Sequence, residues 1–446
     1  MIAAVEKAQA NTPQAYVEAL HVNGPDGAFD ATAHVLGKDY RIDVTLDGVS
    51  YAYGRVEGLS WRQTPNGVVR VVASDVQSDA LDRWPRSRFG FSSDGCASDG
   101  TTNLGGKTLW VLQCTAAGDI PHWYDIDPSS GEIRSEVARD GAHVFTYDFS
   151  GARHWTIHGY GGDAQVAVAS LSAQPVTAGD VAIPAATHSI FKLPASGIAD
   201  IPVEFGYHID ATVEIDGARR SFTVDTGTSQ ILIDIGESAR LGLHPKFGHV
   251  IIPTLRVGDA VAHDVAAQAV NLFHDRDGAG ILGNEFFIGH IVHIDYTHRK
   301  VQLIAHDVFQ PPPDARPIGI DVREGMPLVQ AGANGVIGER FALDTGSYWI
   351  MLSSNFADAT GADKDPIVRF RPQTIGFLEG PVAVQLREMP SFEMVPYRFP
   401  NVEADVEIRA AGNLDIPLDG VIGQNVLSAF EWWYDYDDGI AWLRAE

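Results

Sequence analysis

Apolar and polar positions alternate along much of the chain. Residues 41–46 read Arg-Ile-Asp-Val-Thr-Leu, residues 68–72 read Val-Val-Arg-Val-Val, and residues 165–168 read Gln-Val-Ala-Val. A period of two places every second side chain on one face of an extended chain, so these segments predict half-buried strands. Turn-forming residues punctuate them throughout, which argues for a mainly β, mostly antiparallel protein. One hairpin is explicit: residues 124–127 lead into Pro128, Ser129, Ser130 and Gly131, and residues 132–135 return. Helical signal is scarce. The opening residues to about Leu20, rich in Ala, Glu and Gln, are the best early helix candidate.

Two shifts in composition divide the chain. The first runs from about Leu171 to Pro202, with Pro175, Pro184 and Pro194 set among small residues. The second is the run from Pro311 to Pro317, which reads as a linker because proline lacks the amide hydrogen that helices and central strands need. Three blocks result: an antiparallel β domain over 1–185, and two β lobes over 190–310 and 316–446. The first block holds Trp61, Trp84, Trp110, Trp123 and Trp155. They read as core residues, with a ligand groove as the alternative. Its texture around residues 58–63 and the meander that follows resembles bacterial lipoprotein-carrier domains.

The two later blocks repeat each other. Residues 222–233 read Phe-Thr-Val-Asp-Thr-Gly-Thr-Ser-Gln-Ile-Leu-Ile, and residues 341–352 read Phe-Ala-Leu-Asp-Thr-Gly-Ser-Tyr-Trp-Ile-Met-Leu. Each copy follows a candidate hairpin turn, Asp216-Gly217 in one and Asn334-Gly335 in the other. Each is followed by a second shared segment, Ile281-Leu282-Gly283-Asn284 and Val421-Ile422-Gly423-Gln424, and then by a strand-like ending. Internal repetition of this kind signals duplicated structural units.

These motifs resemble the pepsin and retropepsin superfamily of aspartic peptidases, over about residues 200–446. The resemblance implies a bilobal acid-protease fold, with a catalytic pair formed by Asp225 and Asp344. Two carboxyl groups a few ångströms apart cannot both stay charged, so such a pair shares one proton and titrates as a unit. The resemblance further implies that Thr226 and Thr345 tie the two loops together, and that Thr228 and Ser347 donate hydroxyls to the outer carboxylate oxygens. Gly227 and Gly346 would let the backbone turn and leave room beside the carboxyls. The aspartates are 119 residues apart in one chain, so both halves of the site are present and a monomer suffices. The substrate would be a polypeptide, with no cofactor or metal. A flap is expected at Gly376 and Phe377 in the second lobe; around Lys246, Phe247, Gly248 and His249 in the first, the stretch is short.

Composition narrows the partners. With 58 acidic against 32 basic side chains, the net charge is -26, which disfavours nucleic acid and anionic membrane surfaces. No stretch approaches the roughly 18 apolar residues of a membrane span. Cys96 and Cys114 have the spacing of a hairpin-closing disulfide in an exported protein, with two unrelated thiols as the alternative. A periplasmic or secreted protein that has lost its signal peptide is expected, with the cytoplasm as the other option. His290, His293 and His298 cluster in sequence, yet strand geometry sends His290 and His293 to opposite faces, which argues against shared metal ligation. The chain holds no Gly-x-Ser-x-Gly elbow, phosphate loop or dinucleotide fingerprint. The competing function is a non-catalytic peptide- or lipid-binding module on the same scaffold.

Overall fold

The structure is a computed structural model that describes all residues except 10–13, 26, 47, 73–83, 86, 90, 92, 94, 116–120, 141–142, 152, 160–161, 186–188, 246–247, 273–277, 324, 378–379, 409–417 and 446. Side chains at 9, 71–72, 139–140, 143, 159, 162, 323, 374–377 and 380–381 also lie outside the description. The protein is mainly β, and it divides into two compact units, Met1–Ala186 and Thr187–Glu446.

The first unit is a single antiparallel sheet of 13 strands among the described residues, nearly all of whose neighbours are consecutive in sequence. Its first strand, Ala15–Gly24, pairs with its last, Gly162–Ser172, and joins the two runs of the meander. The expected opening helix is shorter than the sequence suggested, covering Ile2–Gln9. From Ala15 the chain is a strand, with Tyr16, Glu18, Leu20 and Val22 buried on one face. Glu18 hides that period of two, because a buried carboxylate reads as polar until its partner, the Arg88 guanidinium, is seen. Trp61, Trp84 and Trp155 are buried, in agreement with the core reading, while Trp110 and Trp123 are half-buried. Phe89, fully buried, meets Trp84, Trp155 and Tyr40 at ring separations of 6.0, 6.3 and 6.0 Å. Cys96 and Cys114 face each other in register on adjacent strands and are joined by a disulfide.

The second unit is built twice over. In one half a seven-stranded sheet runs in the order Val203–Phe205, Ile209–Ile215, Ala218–Val224, Gly280–Leu282, Ile231–Asp234, Ala260–Val270, His249–Val257. In the other an eight-stranded sheet runs Asp321–Arg323, Met326–Ala333, Val336–Leu343, Gly420–Ile422, Ile350–Leu352, Tyr397–Glu407, Gly380–Met394, Gln373–Phe377. Position for position the wiring is the same, with Gln373–Phe377 added at one edge. Both expected hairpin turns form: Asp216 and Gly217, like Asn334 and Gly335, have positive φ, as a two-residue turn between twisted strands requires.

A six-stranded antiparallel sheet joins the halves, in the order Ile198–Ile201, Lys300–Ile304, Ile291–Asp295, Phe430–Asp435, Ile440–Ala445, Arg316–Gly319. Its central pair takes one strand from each half, so the sheet repeats the duplication about its middle. The proline-rich run is therefore more than a linker. Arg316–Gly319 is an edge strand, where Pro317 sits opposite Trp442, and an edge is the place in a sheet where a missing amide hydrogen is tolerated. One apolar core runs through both halves, from Ile209 and Phe222 to Phe341, Ile422 and Trp432. No described helix is long and apolar enough to cross a membrane.

Candidate functional site

Each Asp-Thr-Gly segment is the loop that leaves a central strand, Ala218–Val224 in one half and Val336–Leu343 in the other. The downstream shared segment explains how the loop is held. The Gly280–Leu282 strand runs parallel to the end of Ala218–Val224, and the Leu282 carbonyl accepts the Asp225 amide at 3.0 Å. In the other half the Ile422 carbonyl accepts the Asp344 amide at 3.0 Å. Past each loop, the Asn284 amide donates to the Thr228 carbonyl at 2.8 Å and the Gln424 amide to the Ser347 carbonyl at 2.9 Å. The conserved spacing of apolar residues within the repeat is matched by close packing: a Cβ on Gly280 would lie 2.2 Å from the Phe222 ring, and one on Gly420 would lie 2.6 Å from Phe341.

Thr226 and Thr345 are fully buried between the two loops. The Thr226 amide donates to Thr345 Oγ1 at 3.1 Å, and the Thr345 amide to Thr226 Oγ1 at 3.0 Å. Each hydroxyl then donates across the divide, Thr226 to the Leu343 carbonyl and Thr345 to the Val224 carbonyl, both at 2.7 Å. Four hydrogen bonds at the buried joint fix the loops against each other.

This joint brings Asp225 and Asp344 within hydrogen-bonding reach of each other. Both are half-buried. Gly227 and Gly346 serve the other half's carboxyl: a Cβ at either would stand 2.5 Å from the opposite aspartate's Cγ. Neither has a positive φ, so what these positions require is space rather than an unusual backbone conformation. Each glycine amide also donates to the aspartate of its own loop at 2.8 Å.

The symmetry stops at the next hydroxyl. Thr228 Oγ1 donates to Asp225 Oδ2 at 2.8 Å, as expected. Ser347 does not do the same for Asp344; its hydroxyl donates to the Trp349 carbonyl at 2.9 Å. The threonine methyl restricts its rotamer, whereas the smaller serine can swing to a local backbone acceptor. Burial and the neighbouring Asp225 charge hold the Asp344 carboxyl well above the usual carboxylate range, opposed by the Gly346 and Ser347 amides. Tyr436, buried in the core, has its phenol pushed up by burial and by the charges of both aspartates.

Two further residues are tied to the Thr345 loop: Gln424, which the repeat marks in its second shared segment, and Tyr207, which no signal in the sequence marked. Gln424, which follows the second Gly of the repeat, donates from Nε2 to the Thr345 carbonyl at 2.7 Å and to the Tyr207 carbonyl at 3.4 Å. Tyr207 in turn stacks on Tyr348. At the expected flap, Gln373–Phe377 and Gly380–Met394 pair as a hairpin with Gly376 opposite Pro381 and Phe377 opposite Gly380. Leu378 and Glu379, like Lys246 and Phe247 of the first half, lie outside the described residues.

The three clustered histidines serve separate partners. His290 Nε2 lies 2.9 Å from Ser189 Oγ, His293 bridges Gln302 Oε1 at 3.0 Å and Glu431 Oε1 at 2.7 Å, and His298 Nδ1 lies 2.8 Å from Asp295. His293, Asp295 and Glu431 come close enough together to share a cation. The Arg444 guanidinium already holds the other Glu431 oxygen, which makes that grouping a poor cation site.

No family model matches the chain, and no curated protein matches it. Among solved structures, it is similar to a LolA-superfamily protein from Nitrosomonas europaea, at 11% identity and a TM-score of 0.34, over 41% of this chain and 96% of the other.

Proposed function

We propose that the protein is an aspartic endopeptidase that hydrolyses peptide bonds with a water held between Asp225 and Asp344. The observation that carries this reading is the pair itself: two loops from duplicated halves, locked by reciprocal threonine bonds, with their carboxyls in hydrogen-bonding reach. A carboxyl pair sharing one proton has both an acid and a base at one spot. The asymmetry of the loops favours placing the proton on Asp344 and the charge on Asp225, which receives the Thr228 hydroxyl as well as the Gly227 amide.

In this scheme ionised Asp225 takes a proton from the water, whose oxygen bonds to the scissile carbonyl carbon. Asp344 gives its proton to the carbonyl oxygen, which yields a neutral gem-diol. Proton transfer from Asp225 to the amide nitrogen then lets the C–N bond break. Asp344 recovers its proton from a diol hydroxyl as the carboxylic acid product forms. The substrate is a polypeptide and the working unit is one chain. The Cys96–Cys114 disulfide favours an oxidising compartment, periplasmic or secreted.

The test is hydrolysis of a diverse peptide library between pH 3 and 7, followed by mass spectrometry, for wild type, Asp225→Asn and Asp344→Asn. Cleavage by wild type and a loss of at least about a thousandfold in each variant are expected, since one member of a pair acting as a unit cannot work alone. An inert wild type that is folded, or a variant with full activity, overturns the reading and favours a binding module.

A further inference from the structure

Outside the acid pair, a second set of reactive side chains lines up in the Met1–Ala186 unit. Three adjacent strands, Cys96–Leu104, Lys107–Cys114 and His122–Ile126, set Cys96 opposite Cys114 and Cys114 opposite His122. Residues paired directly across strands project to one face, so the disulfide and the imidazole share a face. Cys114 and His122 are both 6% exposed, whereas Cys96 is half-buried.

His122 is held from one side. Its Nδ1 lies 2.9 Å from Glu136 Oε1 on Ile133–Asp140, the strand that flanks His122–Ile126 away from Cys114. Glu136, fully buried, accepts the Ser87 amide at 2.9 Å and the Ser87 hydroxyl at 2.5 Å with its other oxygen. A carboxylate oxygen facing Nδ1 accepts from Nδ1–H and so sets the tautomer, with the lone pair on Nε2. His122 Nε2 is buried and has no hydrogen-bond partner among the described residues. Tyr124 stacks on the ring, with centroids 6.1 Å apart and planes within 11°. A buried imidazole with a carboxylate behind it and an unmet nitrogen is placed to take a proton. The disulfide has no proton to give; the thiol of reduced Cys114 has one.

We infer that Cys96–Cys114 is an exchangeable disulfide, and that His122, backed by Glu136, holds Cys114 as a thiolate once the bond is open. With Nδ1 turned to Glu136 on one flanking strand, Nε2 is left toward the other, where Cys114 stands. The substrates are dithiols, small or protein-borne. One thiolate of the dithiol attacks Cys96 Sγ, the more exposed sulfur, and the S–S bond breaks with its electron pair on Cys114 Sγ. The second thiol then displaces Cys96 from the mixed disulfide. The dithiol is oxidised to its own disulfide. Of the two protons it gives up, one ends on Cys96 and one on His122 Nε2, so Cys114 stays a thiolate beside an imidazolium. Without that imidazolium, the apolar setting of Cys114 among Val5, Leu112, Tyr124 and Ile126 would favour the neutral thiol.

The experiment follows the ultraviolet absorbance of the thiolate against pH in Cys96→Ser, alone and combined with His122→Gln or Glu136→Gln, with near-ultraviolet circular dichroism as the check of folding. Cys114 is expected to titrate at least about one pH unit below the ordinary thiol value of about 8.5, and His122→Gln to return it to that value or above, with Glu136→Gln between them. The intact chain gives a second reading that needs no Cys96 variant: the reduced fraction in dithiothreitol buffers of graded redox ratio, read by alkylation and mass spectrometry. His122→Gln and Glu136→Gln are each expected to move this equilibrium toward the disulfide, His122→Gln by about tenfold at pH 7. A Cys114 that titrates at or above the ordinary thiol value, or an equilibrium that both variants leave unchanged, overturns the inference and makes the bond a structural staple. Neither reading involves peptide cleavage, so the outcome is independent of the peptidase reading.

Discussion

At the residue scale, the two aspartates are alike in sequence and unlike in surroundings. Asp225 accepts from Gly227 and Thr228, while Asp344 loses the matching hydroxyl to the Trp349 carbonyl. A hydroxyl bond to the charged form favours ionisation, so removing it moves the acid limb of the pair's activity profile upward. We expect Thr228→Val to move the acid limb of kcat/KM to higher pH, and Ser347→Ala to leave it in place. Equal shifts would place the Ser347 hydroxyl on the carboxyl after all. Stability follows the other aspartate. Asp344 has a raised pKa in the fold, so its contribution is present below the ordinary carboxylate range and is lost as pH rises through the raised value. Asp344→Asn removes a like charge from a half-buried pair, and is expected to raise Tm by a few degrees at pH 7.5 and by nothing measurable near pH 3, read by calorimetry.

At the scale of elements, what could be read from the sequence was whatever is local. The alternating segments, the Asp-Gly and Asn-Gly turns and both Asp-Thr-Gly loops carry their geometry in neighbouring residues, and the strands and turns stand where the pattern placed them. Pairings decided across long separations were illegible. Glu18 looked helical because its counter-ion is Arg88, far along the chain. Pro317 looked like linker because the strand that accommodates it, Ile440–Ala445, comes at the end of the sequence. The Ser347 hydroxyl bonds the Trp349 carbonyl, a choice of acceptor that composition does not make. Asp405 is a similar case: on the Tyr397–Glu407 strand it reads as the exposed half of an alternation, yet it is buried. Burial raises its pKa to about 6, with Arg369 opposing and Glu403 adding to the rise. Its folded value is above the unfolded one, so the second half is penalised progressively as pH climbs from about 4 through 6. Asp405→Asn should therefore stabilise the protein by roughly 3 kcal/mol at pH 7.5, with the gain gone near pH 4. Urea melts at the two pH values check this, and a gain independent of pH would mean that Asp405 carries no such burden.

At the scale of the whole molecule, the arrangement of parts sets what is needed for the proposed chemistry. The threonine joint, the acid pair, the Gln424 bridge and the six-stranded sheet are all drawn from residues within Thr187–Glu446. Phe191 is buried in the core of that unit, and Lys192 exchanges backbone hydrogen bonds with Val261. A cut must therefore fall before Ser189, whose hydroxyl meets His290. A chain starting at Thr187 keeps every contact described around Asp225 and Asp344, and it contains neither cysteine. It is expected to fold as one cooperative unit and to cleave a short peptide with kcat/KM within about twofold of the intact protein, in the presence or absence of reductant. On long or folded substrates the two forms should part company if the Met1–Ala186 unit recruits or restrains them. A fragment that is folded but inert on the short peptide would instead assign part of the catalytic site to the first unit, and the acid pair would then be incomplete without it.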